Sequence, residues 1–161
     1  MGNPRLELSP VVATTMLIRR PRAEVFRAFT DPAITSRFWF TRSSGPVAPG
    51  ARLRWTWEMY DVSVTVQVKE FEQDHRFAVE WQNGPRPTTF ELRFTDHSTD
   101  ATRVDLTETG FGGDDPDEVV TWALNSMGGF TEALAAAKAL LEHDIVLTLV
   151  ADRHPDGIAG S

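Results

Sequence analysis

The chain has 161 residues, of which 41% are apolar and 24% charged, with a formal net charge of −7 and no cysteine. That length reads most simply as one domain over 1–161 with a real core. The acidic balance excludes nucleic acid and anionic membrane as expected partners, because phosphate binding needs clustered Lys and Arg, and without cysteine there is no disulfide framework, thiol nucleophile or thiolate metal site.

The opening MGNPRLELSP has no apolar signal core, and Leu6 stands where a myristoylation signal needs Ser or Thr. No apolar run approaches the roughly 20 residues that span a bilayer. The expected address is therefore cytoplasmic by default. Residues 1–10 and 154–161, the latter with Pro155, Gly157 and Gly160, read as loose ends around a core of about 11–144.

Val11 to Arg19 reads as a first strand, with Val12, Thr14, Met16 and Ile18 on one side. Pro21 suits the first position of a helix whose apolar stripe is Val25, Phe26 and Phe29. Asp31 and Pro32 start a second short helix carrying Ile34, Phe38, Trp39 and Phe40. A short helix cannot hide three consecutive aromatics, so one or two are expected at a cavity mouth or a partner surface. Gly45, Pro46, Pro49 and Gly50 then break the chain around a short edge strand.

From Arg52 to about Phe111 the period is 2, the pattern of an antiparallel meander. Breaks fall near Tyr60–Asp61, Gln73–Arg76, 83–87 and Asp96–Ala101. Leu53, Trp55, Trp57 and Met59 make one apolar row; Val62 to Val68, Phe77 to Trp81, Thr88 to Phe94, and Val104 with Leu106 make the others. Successive side chains point to opposite faces, so these rows build one apolar wall and one solvated wall. Glu70 shares the inward parity but lies near a turn and is expected in solvent.

Asp115, Pro116 and Glu118 form a capping-box-like start for a long helix. Its stripe is Val120, Ala123, Leu124, Met127, Phe130, Leu134, Ala137 and Leu141. Gly128 and Gly129 sit mid-helix, each costing about 1 kcal/mol relative to Ala, so a close approach is expected there. Ile145 to Val150 fits either a prolonged helix or a separate docked segment.

The order is strand, two short helices, about six to seven strands with the edge strand included, and a long final helix, an α+β architecture with helices on one sheet face. In this order the chain resembles the START-related, birch-pollen-allergen-like superfamily, and within it the family related to the C-terminal domain of the activator of the Hsp90 ATPase. The resemblance rests on RPRAEVFRAFTDP from Arg20, the Phe38–Trp39 pair, PVAPGARLRW from Pro46, LTETGF from Leu106 and GGFTEAL from Gly128. It implies a helix-grip fold, in which a curved antiparallel sheet holds the C-terminal helix over an internal cavity.

Glu108 is the conspicuous polar residue of the inward face. A carboxylate there must be hydrogen-bonded, paired or neutral. Three roles stay open for it: a structural anchor for an indole or backbone N–H, a ligand contact, or an acid or base with a raised pKa. The expected ligand-binding residues are Phe38, Trp39, Trp55, Trp57, Met59, Trp81, Phe90, Glu108, Trp122, Met127 and Phe130. His75, His97, His143 and His154 lack zinc-site spacing, and no phosphate-binding or serine-hydrolase motif is present, so no metal or cofactor is expected. Three functions compete. The first is a non-enzymatic module holding a small apolar or aromatic molecule between sheet and helix. The second is a cyclase or hydrolase-type enzyme using Glu108, and the third a co-chaperone-like interaction domain. A homodimer through a sheet edge is left open.

Overall fold

The structure, a computed structural model, describes residues 9–82 and 84–158. Of the expected loose ends, 1–8 and 159–161 lie outside the described residues, as does Asn83 in the third break of the meander. Among the described residues no helix is long and apolar enough to cross a membrane.

The elements are β1 (Val12–Ile18), α1 (Arg22–Thr30), α2 (Pro32–Thr35), β2 (Arg42–Ser43), β3 (Arg52–Trp57), β4 (Val62–Glu72), β5 (Arg76–Trp81), β6 (Thr88–Ser98), β7 (Ala101–Thr109), α3 (Pro116–His143) and α4 (Leu149–Arg153). The strands form one antiparallel sheet in the order β1-β7-β6-β5-β4-β3-β2. This is the expected helix-grip arrangement, with the first strand returning beside the last.

The sheet's inner rows follow the alternation, with two departures. After Trp57 the chain does not continue as a strand but makes a single 3-10 turn over Glu58–Tyr60, closed by Asp61 at φ 51°. Met59 therefore leaves the inward row and is 39% exposed, contrary to the expectation that it faces the cavity. In β4 a bulge between Val68 and Glu70 resets the register. The extra residue turns Glu70 outward and Phe71 inward, where its ring meets Phe26 edge-on at 5.5 Å. Glu70 is in solvent as expected, yet the bulge rather than the turn puts it there. Outside, it joins Glu72 and Glu91 around the Arg76 guanidinium.

α1 buries Val25, Phe26, Ala28 and Phe29. Asp31 caps α2 by accepting from the Ala33 N–H at 3.0 Å. Thr35 is fully buried and donates to Ala28 O at 2.6 Å. The helix stops there, so Phe38, Trp39 and Phe40 leave it on irregular backbone and can point in different directions. All three are buried. None of them forms an exposed partner surface, and of the three only Trp39 lines the pocket described below.

α3 runs alongside β1. Thr14 and Thr131 hydroxyls meet at 2.8 Å, and Lys138 Nζ donates to Leu17 O at 2.7 Å. Glu142 accepts from Lys138 Nζ at 2.5 Å and from the Arg19 N–H at 2.9 Å. Its buried stripe is Val119, Ala123, Phe130, Ala133, Leu134, Ala136, Ala137 and Leu140. Leu124 is 63% and Met127 41% exposed, so both belong to the outer side of the helix rather than to its apolar stripe. Val120 joins them there. α3 ends at Asp144, at φ 53° with its N–H bonded to Leu140 O. Of the two readings of 145–150, the separate docked segment is the one observed: α4 follows as its own short helix.

The clasp of α3 on β1 has a pH signature. Burial raises the Glu142 carboxyl, but Lys138 and the Arg19 amide outweigh it and hold the group below the ordinary carboxylate range. A depressed carboxylate stabilises the fold above its unfolded pKa, ~4.3, and that contribution is lost as pH falls through the folded value. Glu142→Gln should therefore lower stability by about 1 kcal/mol near neutrality, after screening at the part-exposed Lys138. In calorimetric melts across pH the gap between wild type and variant should close in acid. A gap that persists at the acid end would mean that the charge contributes nothing.

Candidate functional site

The site is built around a carboxylate that the register makes unavoidable. β7 pairs Glu108 with Val12 of β1 and with Phe90 of β6. Thr88 of β6 stands diagonally beside Glu108 on the inner face, and Trp81 of β5 pairs with Thr88 one strand further on. Glu108 is wholly buried. Its Oε2 accepts from Trp81 Nε1 at 3.0 Å and from Thr88 Oγ1 at 2.6 Å. Its Oε1 accepts a short hydrogen bond from Ser126 Oγ of α3. These are the bonds that the structural role asked for, with an indole N–H among the donors.

Beside this anchor, between β3, β4, β5, α3 and α4, lies a pocket of about 530 Å³. Of the expected ligand-binding residues, Trp39, Trp57, Trp81, Trp122 and Phe130 line it. Their rings meet mostly edge-on or tilted: Trp39 to Trp81 at 6.1 Å, Trp81 to Phe130 at 5.6 Å, Trp57 to Trp81 at 6.3 Å. Trp122 leans on Phe111 at 4.8 Å. It also lies over Gly84, where a Cβ would come within 2.4 Å of the indole.

The other expected residues lie elsewhere. Trp55 and Phe90 are fully buried behind the lining rings, Trp55 stacked on Phe40 at 4.9 Å and Phe90 against Phe130 at 5.1 Å. Phe38 packs on Phe29 beneath α1, at 5.1 Å. Met59 and Met127 are surface residues, as noted. Glu108 stands behind the pocket and reaches it through Ser126 and Trp81, both of which line it.

The sequence reading missed the polar side of the pocket: Tyr60, Gln82, Asn125, Glu132, Arg153 and His154. It also read 154–161 as a loose end, whereas His154 and Ile158 line the pocket beside Val150 and Arg153. α4 is held there by a short hydrogen bond from the Tyr60 hydroxyl to Val150 O and by Arg153 Nη1 on Glu132 Oε1 at 2.8 Å. The Arg153 guanidinium rests on Gly128, where a Cβ would come within 2.5 Å of it. That is the close approach expected at the mid-helix glycines, and Gly129 opens directly onto the pocket. The recoverable signal was the spacing of Trp122, Asn125, Gly129 and Glu132, a second stripe on α3 at helical period.

Burial raises the Tyr60 phenol above its ordinary pKa, with Glu132 adding to the rise and the His154 backbone and Arg153 opposing it. The hydroxyl thus stays protonated, the state in which it can donate to Val150 O. Glu132 Oε2 is buried and has no hydrogen-bond partner among the described residues. Among those residues no group of His, Asp or Glu side chains could hold a metal ion.

No curated protein matches the chain in sequence. Solved structures similar to it include a protein of Staphylococcus saprophyticus, 26% identical with a TM-score of 0.73, covering 86% of this chain and 96% of that one. The di-domain ARO/CYC BexL of the BE-7585A biosynthetic pathway is similar at 18% identity and TM-score 0.73, over 83% of this chain and 46% of that one. An HSP90 activator from Plasmodium falciparum is similar at 17% identity and TM-score 0.63, over 82% of this chain and 96% of that one. The sequence pattern described as Activator of Hsp90 ATPase homolog 1-like protein matches residues 19–142, and the chain belongs to that family.

Proposed function

We propose that the protein binds a small apolar or aromatic molecule, without turnover, in the pocket between the sheet, α3 and α4. The carrying observation is the lining: four tryptophans and Phe130 around about 530 Å³, with a smaller set of polar groups among them. Volumes of roughly 300–1,000 Å³ with apolar walls and a few orienting polar groups are those of small-molecule sites. The likeness to an ARO/CYC protein is consistent with this and, at its low identity, speaks for the fold.

The enzyme reading asked Glu108 to act as acid or base. Both of its oxygens are already engaged by Trp81, Thr88 and Ser126, and it contacts the pocket only through them. The co-chaperone reading draws support from the family, and from the exposed row Val120, Leu124 and Met127 on the outer side of α3. Stimulation of a partner ATPase that survives mutation of the pocket and is lost with that row would favour it.

α4 closes one side of the pocket through few contacts, so it is the natural way in. Gly128→Ala should add helix propensity worth about 1 kcal/mol while displacing Arg153 from its seat. Its melting temperature should be no lower than wild type, yet amides of α4 should exchange faster. Unchanged exchange in α4 would mean that the Arg153 seat does not hold it. Tyr60 is the chain's single tyrosine, so its phenolate absorbance reports one group. It should titrate above the ordinary tyrosine value, ~10, and faster exchange in α4 should accompany it. The sign follows from the raised pKa: stability is full below the unfolded value and lost as pH rises through the folded one.

Binding itself is tested by melting the protein with naphthalene-type ligands and by native mass spectrometry of material as purified. A ligand at 100 times its Kd adds about 2.7 kcal/mol of stability. Glu108→Gln should cost about 1–3 kcal/mol, because an amide cannot accept all three donors, and leave apolar ligand affinity within a few-fold of wild type. No stabilisation by any aromatic ligand would sink the proposal. Loss of affinity without loss of stability in Glu108→Gln would return Glu108 to the site.

A further inference from the structure

The pocket holds one unanswered polar atom. Glu132 lies on the pocket-facing stripe of α3, with Oε1 taken by Arg153 Nη1 at 2.8 Å. Oε2 is buried with no hydrogen-bond partner among the described residues. A carboxylate oxygen removed from water and left unpaired is costly, and the cost is relieved by any group that donates to it. Glu132 sits on the same side of the pocket as Tyr60, Arg153 and His154, while Trp39, Trp81 and Phe130 supply the apolar walls. A guest therefore meets rings along its body and an acceptor at its end.

Resting on the small-molecule reading of this pocket, we infer that its ligand is an aromatic molecule bearing a hydroxyl or amino donor, anchored by the free oxygen of Glu132. The ion pair with Arg153 makes the anchor close to neutral as a unit. The acceptor remaining on it favours a donor and disfavours a carboxylate guest. Oε2 is buried, so a ligand donor reaches it by a small shift of the side chains that cover it, with Oε1 kept on Arg153. An oxygen that water does not reach has little hydration to surrender when a ligand donor arrives. Arg153 then acts as a positioning residue: it fixes Oε1 and, through its seat on Gly128, the near end of α4.

The test is a ligand series on the full chain, read by calorimetry or by quenching of tryptophan fluorescence. Naphthol and naphthylamine should bind about tenfold or more tightly than naphthalene, the scale of one hydrogen bond to a charged group. The methyl ether of naphthol, which keeps the oxygen and loses the donor, should fall back to naphthalene. Naphthoate should be weaker than naphthalene. Glu132→Leu should erase the preference for naphthol over naphthalene, whatever it does to the affinity for both. Should that variant misfold by circular dichroism, the wild-type series decides alone. Equal binding of naphthol and its methyl ether overturns the inference while the pocket reading stands. So does tightest binding of naphthoate, which would mean that Arg153 anchors an anion. If none of the probes binds, the pocket reading itself falls and the inference falls with it.

Discussion

The fold depends on one buried charge. Glu108 is fully out of solvent on the central side of β7. A bare carboxylate in that position would cost several kcal/mol, and the structure answers it with donors from three separate elements. Trp81 comes from β5, Thr88 from β6 and Ser126 from α3. Each donor must arrive from a fixed register, so the carboxylate couples strand pairing to the rotation of the helix. A slip of β6 against β7 by one residue would send Glu108 and Phe90 to opposite faces. A turn of α3 by one residue, about 100°, would remove Ser126. Apolar packing alone tolerates such shifts far better, because a large ring can be exchanged for another of similar volume.

This coupling also explains why the molecule has a solid end and an open one. Toward α1 the sheet is filled by phenylalanines: Phe26 contacts Phe71, Phe77 and Phe94 within about 6 Å. The bulge in β4 contributes to this by delivering Phe71 inward. Toward α4 the inner face carries Trp57 and Trp81 with the half-buried Val62 and Val64, and α3 presents Ser126 and Gly129. Wide rings opposite small side chains do not interdigitate, and the space between them is the pocket. The same serine that satisfies Glu108 is too small to close it.

The strands were legible because alternation is a local signal that burial enforces. The inward parity of Glu108, the break before Asp61 and the need for a close approach at Gly128 were all readable on that basis. Where the reading failed, the deciding feature carried no periodic signal. Phe38, Trp39 and Phe40 are all buried because α2 ends at Thr35, whose hydroxyl turns back to Ala28 O. Met59 leaves its row because a 3-10 turn replaces the last strand position. Leu124 and Met127 fit the helical period of the apolar stripe by hydrophobicity, but the sheet selects the neighbouring stripe through Ala123, Phe130 and Ala137. α4 has a length and composition that predict nothing by themselves. Its position is set by Tyr60, 90 residues earlier.

That last contact shows why the pocket's chemistry was hidden while its walls were visible. The aromatic walls come from strands and a long helix, elements whose faces follow from period. The polar groups come from chain ends and turns: Tyr60 from a 3-10 turn, Gln82 from the end of β5, Arg153 and His154 from the last described segment. Such segments carry no periodic signal, and only the sheet and α3 bring them to one place. Glycine marks the meeting. At Gly128 a helix in mid-course gives up about 1 kcal/mol of propensity, and what it admits is the Arg153 guanidinium with its bond to Glu132. A backbone penalty in the middle of a well-packed helix, placed under the one arginine that closes the pocket, is best understood as a requirement of the site rather than of the fold.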